Sequence, residues 1–141
     1  MANYQTKDIR NIALMGHGSE GKTTLTEALL FAAKAIDRQG RVEDGNTVTD
    51  FDPEEIKRGI SISAATAPIE WKQIVDVPGY FDFIGEAMGP LRVVETAGIV
   101  VSAVGGISVG AEKAWKLATK NHVAKMFIVN QMDREHADFH K

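Results

Sequence analysis

The chain has 141 residues, with 16 Lys and Arg against 19 Asp and Glu and a net charge of −3, a size of one domain that cannot bind nucleic acid through bulk charge. It has no cysteine, which excludes disulfides, thiolate-ligated zinc and thiol catalysis. The longest uncharged run, Thr96 to Ala111, is too short and too broken by Ser and Gly to span a bilayer, and the polar start MANYQTKDIR lacks the apolar segment of a signal peptide, so a cytoplasmic protein without a membrane partner is expected.

The first element in chain order is a buried strand, Ile9 to Met15, an apolar run that ends in Gly16-His17-Gly18. Leu25, Ala28, Leu29, Ala32, Ala33 and Ile36 then recur at three- and four-residue steps, the stripe of an amphipathic helix starting near Lys22. Asp37 to Gly59 is polar and reads as a long irregular loop, a feature that is often functional in a compact domain. Ile60 to Trp71 and Gln73 to Val77 read as strands. Ala97 to Val104 is apolar and β-branched with no face preference, as in a strand covered on both sides. Val109 to Asn121 reads as a helix with Ser108 as N-cap, and Ala124 to Asn130 as another buried strand. Alternating strands and helices predict an α/β domain with a mostly parallel sheet flanked by helices. The chain stops at Lys141 just after a strand, so the domain is expected to lack its last helix and strand.

Gly16-His-Gly-Ser-Glu-Gly21-Lys22-Thr23 matches G-x-x-x-x-G-K-[ST] between a predicted strand and a predicted helix. Glycines let consecutive N–H groups curl toward phosphate oxygens, and the helix start adds the positive end of its dipole. The segment His17, Gly18, Ser19, Glu20, Gly21, Lys22, Thr23 and Thr24 is therefore the candidate phosphate cradle. Lys22 pairs with β- and γ-phosphates in this scheme, and the Thr23 hydroxyl binds Mg²⁺. Asp76-Val77-Pro78-Gly79 follows a short strand, where an Asp holds Mg²⁺ and the Gly N–H meets the γ-phosphate. Asn130-Gln131-Met132-Asp133 follows the last strand. An Asn amide reads the guanine edge, while a carboxylate accepts from N1–H and the 2-amino group, donors that adenine lacks. The second and third motifs are weak alone and specific in this order, and together they predict GTP and GDP as ligands.

Together with Arg58-Gly59-Ile60-Ser61-Ile62, DVPGYFDF (76–83), AVGGISVGAEKAW (103–115) and NQMDREHADF (130–139), the phosphate loop resembles that of the GTPase domain of elongation factor G over nearly the whole chain. The resemblance implies a P-loop G domain, a translational GTPase that binds the ribosome and promotes translocation, and no contact with sequence-specific DNA. It implies that Asp37 to Gly59 is the first switch, that Ser61 supplies a hydroxyl to Mg²⁺ beside Thr23 and Asp76, and that the second switch begins at Gly79.

Four features depart from the family pattern. Tyr80 stands where the family has a His that orients the attacking water, and a phenol keeps its proton at neutral pH, so reduced hydrolysis is expected. Gln131 stands where the family has Lys; it covers the base without a charge, and weaker nucleotide affinity is expected. Gly89-Pro90 falls inside the second-switch helix, which is expected to start late. Only four residues, Lys72 to Val75, separate Trp71 from Asp76, about four fewer than the family implies, so either the hairpin is shortened or, the favoured expectation, residues are missing from its tip between Trp71 and Ile74. Two readings stay open: a ribosome-stimulated GTPase with Lys22, Gly79 and Tyr80 at the reacting phosphate, or a ribosome-binding paralogue that uses GTP as a conformational ligand and hydrolyses it weakly or not at all.

Overall fold

A computed structural model of the chain describes residues 5, 9–70 and 73–140. The elements run β1 (Asn11–Gly16), α1 (Lys22–Ala32), α2 (Pro53–Arg58), β2 (Ala65–Pro68), β3 (Gln73–Asp76), two 3-10 segments (Phe81–Ala87 and Pro90–Arg92), β4 (Thr96–Ser102), α3 (Val109–Lys120) and β5 (Ala124–Asn130). The strands form one sheet in the order β2-β3-β1-β4-β5. β1 pairs in parallel with β3 and β4, and β4 with β5, while β2 and β3 form an antiparallel hairpin.

β1 is covered on both faces, and its alternating side chains feed two cores. Ala13 and Met15 pack with Val75, Ala97, Ile99, Val101 and the alanines Ala111, Ala114 and Ala118 of α3. Leu14 packs with Ile74, Val100 and Leu30 of α1 on the other face. Continuous apolar strands between two helical layers are what a parallel sheet requires. From β1 the chain goes to β3 on one side and then to β4 on the other, so the strand order reverses at β1. The loop after β1 therefore opens at the crevice where ligands bind in open α/β sheets.

Several local expectations are corrected. The 37–59 loop is not wholly irregular, because Pro53–Arg58 is helical. Asp52 caps it, Glu55 completes a capping box, Pro53 starts it and Gly59 ends it at φ 63, signals that need no apolar stripe to make a helix. The strand read from Ile60 to Trp71 shrinks to Ala65–Pro68, because the N–H groups of Ile62 and Ser63 donate to the Glu55 carboxylate instead of to a neighbouring strand. α1 stops at Ala32, before Ala33 and Ile36. The second-switch helix is replaced by the two 3-10 segments, with Phe83 outside helical geometry and Pro90 opening the second, since proline is tolerated only in a first turn. Trp71 and Lys72 lie outside the described residues, and with them the expected loss at the hairpin tip. Trp115 is 39% exposed and stacks on Phe127 at 5.0 Å.

Candidate nucleotide site

The loop between β1 and α1 is shaped from within. Ser19 and Gly21 adopt left-handed backbone conformations, at φ 63 and φ 82, and Gly21 is the N-cap of α1. The buried Glu20 carboxylate folds back to accept the His17 N–H at 2.7 Å, and Lys22 Nζ donates to the His17 carbonyl at 2.7 Å. Burial lowers the Lys22 pKa, and the carboxylates of Asp76, Glu20 and Asp50 oppose that shift.

The far end of the sheet is tied to the same loop. Asn130 Nδ2 donates to the Glu20 carbonyl at 2.8 Å and Gln131 Nε2 to the Ser19 carbonyl at 3.1 Å. Gln131 Oε1 accepts from Ser102 Oγ at 2.7 Å. The neutral amide thus bridges β4 and the phosphate loop, a contact that its lack of charge did not suggest.

Behind the loop lies a cluster of oxygens. Thr23 Oγ1 donates to Asp76 Oδ2 at 2.9 Å, and Thr49 Oγ1 donates to the same oxygen at 3.2 Å. Ser61 Oγ, 3.1 Å from Thr23 Oγ1, donates to Asp50 Oδ1 at 2.7 Å. Among the described residues, Asp76 Oδ1 is buried with no hydrogen-bond partner. Burial pushes the Asp76 pKa up to about 6 and raises that of Asp50. Two desolvated carboxylates, one with an orphaned oxygen, beside three hydroxyls form an oxygen-only donor set of the kind that hard divalent cations take.

A cavity of about 440 Å³ opens in front of these groups. Its wall brings together Gly18, Ser19, Gly21, Lys22, Thr23 and Thr24 with Ser61, Gly79, Tyr80, Asn130, Gln131 and Asp133. His17, Glu20 and Asp76 do not reach the wall: the first two brace the phosphate loop, and Asp76 sits behind Thr23. Val42, Glu43, Asp50, Gly59, Ile60 and Arg134 also line the cavity, and sequence reasoning named none of them as site residues. Gly79 comes so close to the phosphate loop that a Cβ there would collide with Lys22 Nζ and lie 2.6 Å from Gly18 N.

Two glutamates set the course of the 37–63 segment. Glu27 of α1, 0% exposed, accepts the N–H of Gly40 at 2.8 Å and of Val48 at 2.6 Å. Glu55, 2% exposed, accepts the N–H groups of Asp52, Ile62 and Ser63. Between these two clips, Thr49 and Asp50 are delivered to Asp76 and Ser61. A helical stripe cannot reveal either carboxylate, because each is buried by the loop it holds.

The profile described as Elongation factor Tu GTP binding domain matches residues 7–141. The chain is 42% identical to Elongation factor G 2 of Borreliella burgdorferi, over 94% of the chain and 20% of that protein. It is 40% identical to the mitochondrial Ribosome-releasing factor 2 of Candida dubliniensis, over 97% of the chain and 18% of that protein. A crystal structure of a Thermus thermophilus protein superposes with a TM-score of 0.87 at 40% identity, covering 94% of the chain and 20% of that structure. The chain therefore spans about a fifth of the length of these relatives.

Proposed function

The chain belongs to the family of elongation factor Tu GTP-binding domains, and from that premise we propose that it is the GTP-binding domain of a translational GTPase of the elongation factor G type, acting in the cytoplasm on the ribosome and coupling GTP hydrolysis to translocation. One observation carries the reading: a single cavity joins the phosphate loop to Asn130 and Asp133, more than a hundred residues away in sequence. Family membership supports a guanine nucleotide as the ligand, and the roles of individual residues are proposals.

In this reading Asn130 and Asp133 select guanine, and the Gln131 amide holds the base side of the cavity against the phosphate loop. Lys22 neutralises the β- and γ-phosphates, and the loop N–H groups orient them. Thr23 and Ser61 hold Mg²⁺ through their hydroxyls and Asp76 through its carboxylate, with Asp50 and Thr49 close behind. The ion supplies charge neutralisation at the phosphate oxygens when bound. The orphaned, desolvated Asp76 oxygen supports this assignment, since a cation removes the cost of its ionisation. Gly79 presents its N–H to the γ-phosphate, and Tyr80 occupies the position from which water is oriented.

Titrating fluorescent GDP and ADP against the protein with Mg²⁺ tests the base assignment. At least a tenfold preference for GDP is expected, about 1.4 kcal/mol, and equal affinities would overturn it. Multiple-turnover GTP hydrolysis by the full-length protein, with and without ribosomes, tests the activity. Ribosome stimulation is expected, and its absence would favour the GTP-dependent binding paralogue.

A further inference from the structure

Tyr80 is the N-cap of the first 3-10 segment and has an extended backbone, φ −84 and ψ 144. Its side chain leaves that segment and lies on the phosphate loop. A Cβ built on Gly18 would lie 2.7 Å from both Cε2 and Cζ of the ring and 3.1 Å from Cδ2. Real side chains do not approach so closely, so any residue larger than glycine at 18 must move the phenol. The ring's far end points along the loop, with Oη 3.5 Å from Ser19 Oγ, at the edge of hydrogen-bond range. Tyr80 also shares the cavity wall with Lys22 and Gly79. A phenol O–H is a donor at neutral pH, and a terminal phosphate is a charged acceptor that forms the stronger class of hydrogen bond.

We propose that the Tyr80 hydroxyl reads the terminal phosphate of a bound nucleoside triphosphate, and that Gly18 is the positioning residue that admits the ring to that place. Tyr80 thereby discriminates triphosphate from diphosphate, a role separate from orienting water. The proposal rests on the nucleotide-site reading above. It assigns the phenol a binding contact that a diphosphate cannot make, because only the triphosphate carries the γ-phosphate oxygens that accept it.

The test measures affinities of GDP, ADP and a non-hydrolysable GTP analogue, with Mg²⁺, for the wild-type protein, Tyr80→Phe, Gly18→Ala and the double variant. Tyr80→Phe is expected to weaken the GTP analogue five- to tenfold, about 1.0–1.4 kcal/mol, with GDP unchanged within twofold. Gly18→Ala is expected to act in the same direction, and the double variant to be no weaker than the weaker single one, because both changes remove one contact. A purely structural effect at 18 would weaken GDP equally and overturn the positioning role. A GTP-to-GDP ratio unchanged by Tyr80→Phe would overturn the proposal itself, and this conservative variant keeps the test valid if Gly18→Ala fails to fold. The GDP-to-ADP ratio reads Asn130 and Asp133 instead, so failure of the guanine reading is distinguishable from failure here.

Discussion

Two segments border the phosphate side of the cavity, and they are held in different ways. Residues 37–63 are held by buried carboxylates: Glu27 of α1 ties Gly40 and Val48 to the scaffold, and the segment's own Glu55 holds Asp52, Ile62 and Ser63. The backbone hydrogen bonds within residues 80–94 run three or four positions back along the chain, as in Phe83 to Tyr80, Met88 to Gly85 and Val94 to Pro90, and the Val93 carbonyl also accepts from Asn11 Nδ2 of β1 at 2.9 Å. Leu91 and Ala87 anchor that segment in the core, while its start, Gly79 and Tyr80, rests on the phosphate loop. The first segment brings Thr49 and Asp50 to the oxygen cluster through bonds to α1 and α2 that contain no nucleotide. The second has its place at the site decided by close contact with Gly18 and Lys22, which a ligand shares. A GTP-dependent switch works by contacts that only the γ-phosphate supplies, and in the proposed reading the contact of Gly79 and Tyr80 with the phosphate loop suits that role.

The largest test removes a clip. Glu27→Ala leaves the buried Gly40 N–H and the part-buried Val48 N–H without their carboxylate acceptor, and bonds to charged groups contribute about 1.5–3 kcal/mol each. A loss of roughly 3 kcal/mol or more is expected in urea unfolding of the chain. A loss below about 1 kcal/mol would mean that the segment is held otherwise. On the other segment, Tyr80→His is expected to raise ribosome-stimulated hydrolysis by ten- to a hundredfold, about 1.4–2.7 kcal/mol of barrier. Stability should stay within about 0.5 kcal/mol of wild type. An unchanged rate would show that the phenol already serves the water.

Native-state hydrogen exchange sharpens the contrast without mutation. The amides of Gly40, Val48, Ile62 and Ser63 are expected to exchange at least tenfold more slowly than those of Phe83 and Met88, about 1.4 kcal/mol in opening free energy. Equal protection would erase the distinction between the two segments. The smallest effect concerns helix ends. Asp52→Ala should cost about 1 kcal/mol, because the side chain caps Glu54 N at 2.8 Å, read as a fall in Tm. Asp82→Ala, in a 3-10 segment whose N-cap makes no side-chain cap bond, should cost under about 0.5 kcal/mol.

The order of elements was legible because parallel strands buried on both faces leave unbroken apolar runs, as in Ala97–Val101, and because Ser108 marks the start of α3. The phosphate loop was legible for a similar reason, since its glycines, Lys22 and Thr23 act through nearby backbone. α2 was present in the sequence as Asp52-Pro53 and Gly59, but reading by apolar periodicity passes over a helix whose capping, not its stripe, defines it. The truncated β2 could not be read locally. The N–H groups of Ile62 and Ser63 leave the sheet for a carboxylate eight residues away or fewer, a competition that residue preference does not show.

What the sequence by itself determined is the chemistry available: a glycine-rich loop with Lys22 and Thr23 at 16–23, carboxylates at Asp76 and Asp133, an amide at Asn130 and a phenol at Tyr80. Only the tertiary structure decided which groups meet. It seated Asp50 and Thr49 against Ser61 and Asp76, turned the uncharged Gln131 into a bridge between Ser102 and Ser19, and laid Tyr80 on Gly18. These pairings depend on burial and close approach between segments far apart in the chain. Local residue patterns carry no record of distance, so the contacts exist only once the sheet has brought the strand ends together.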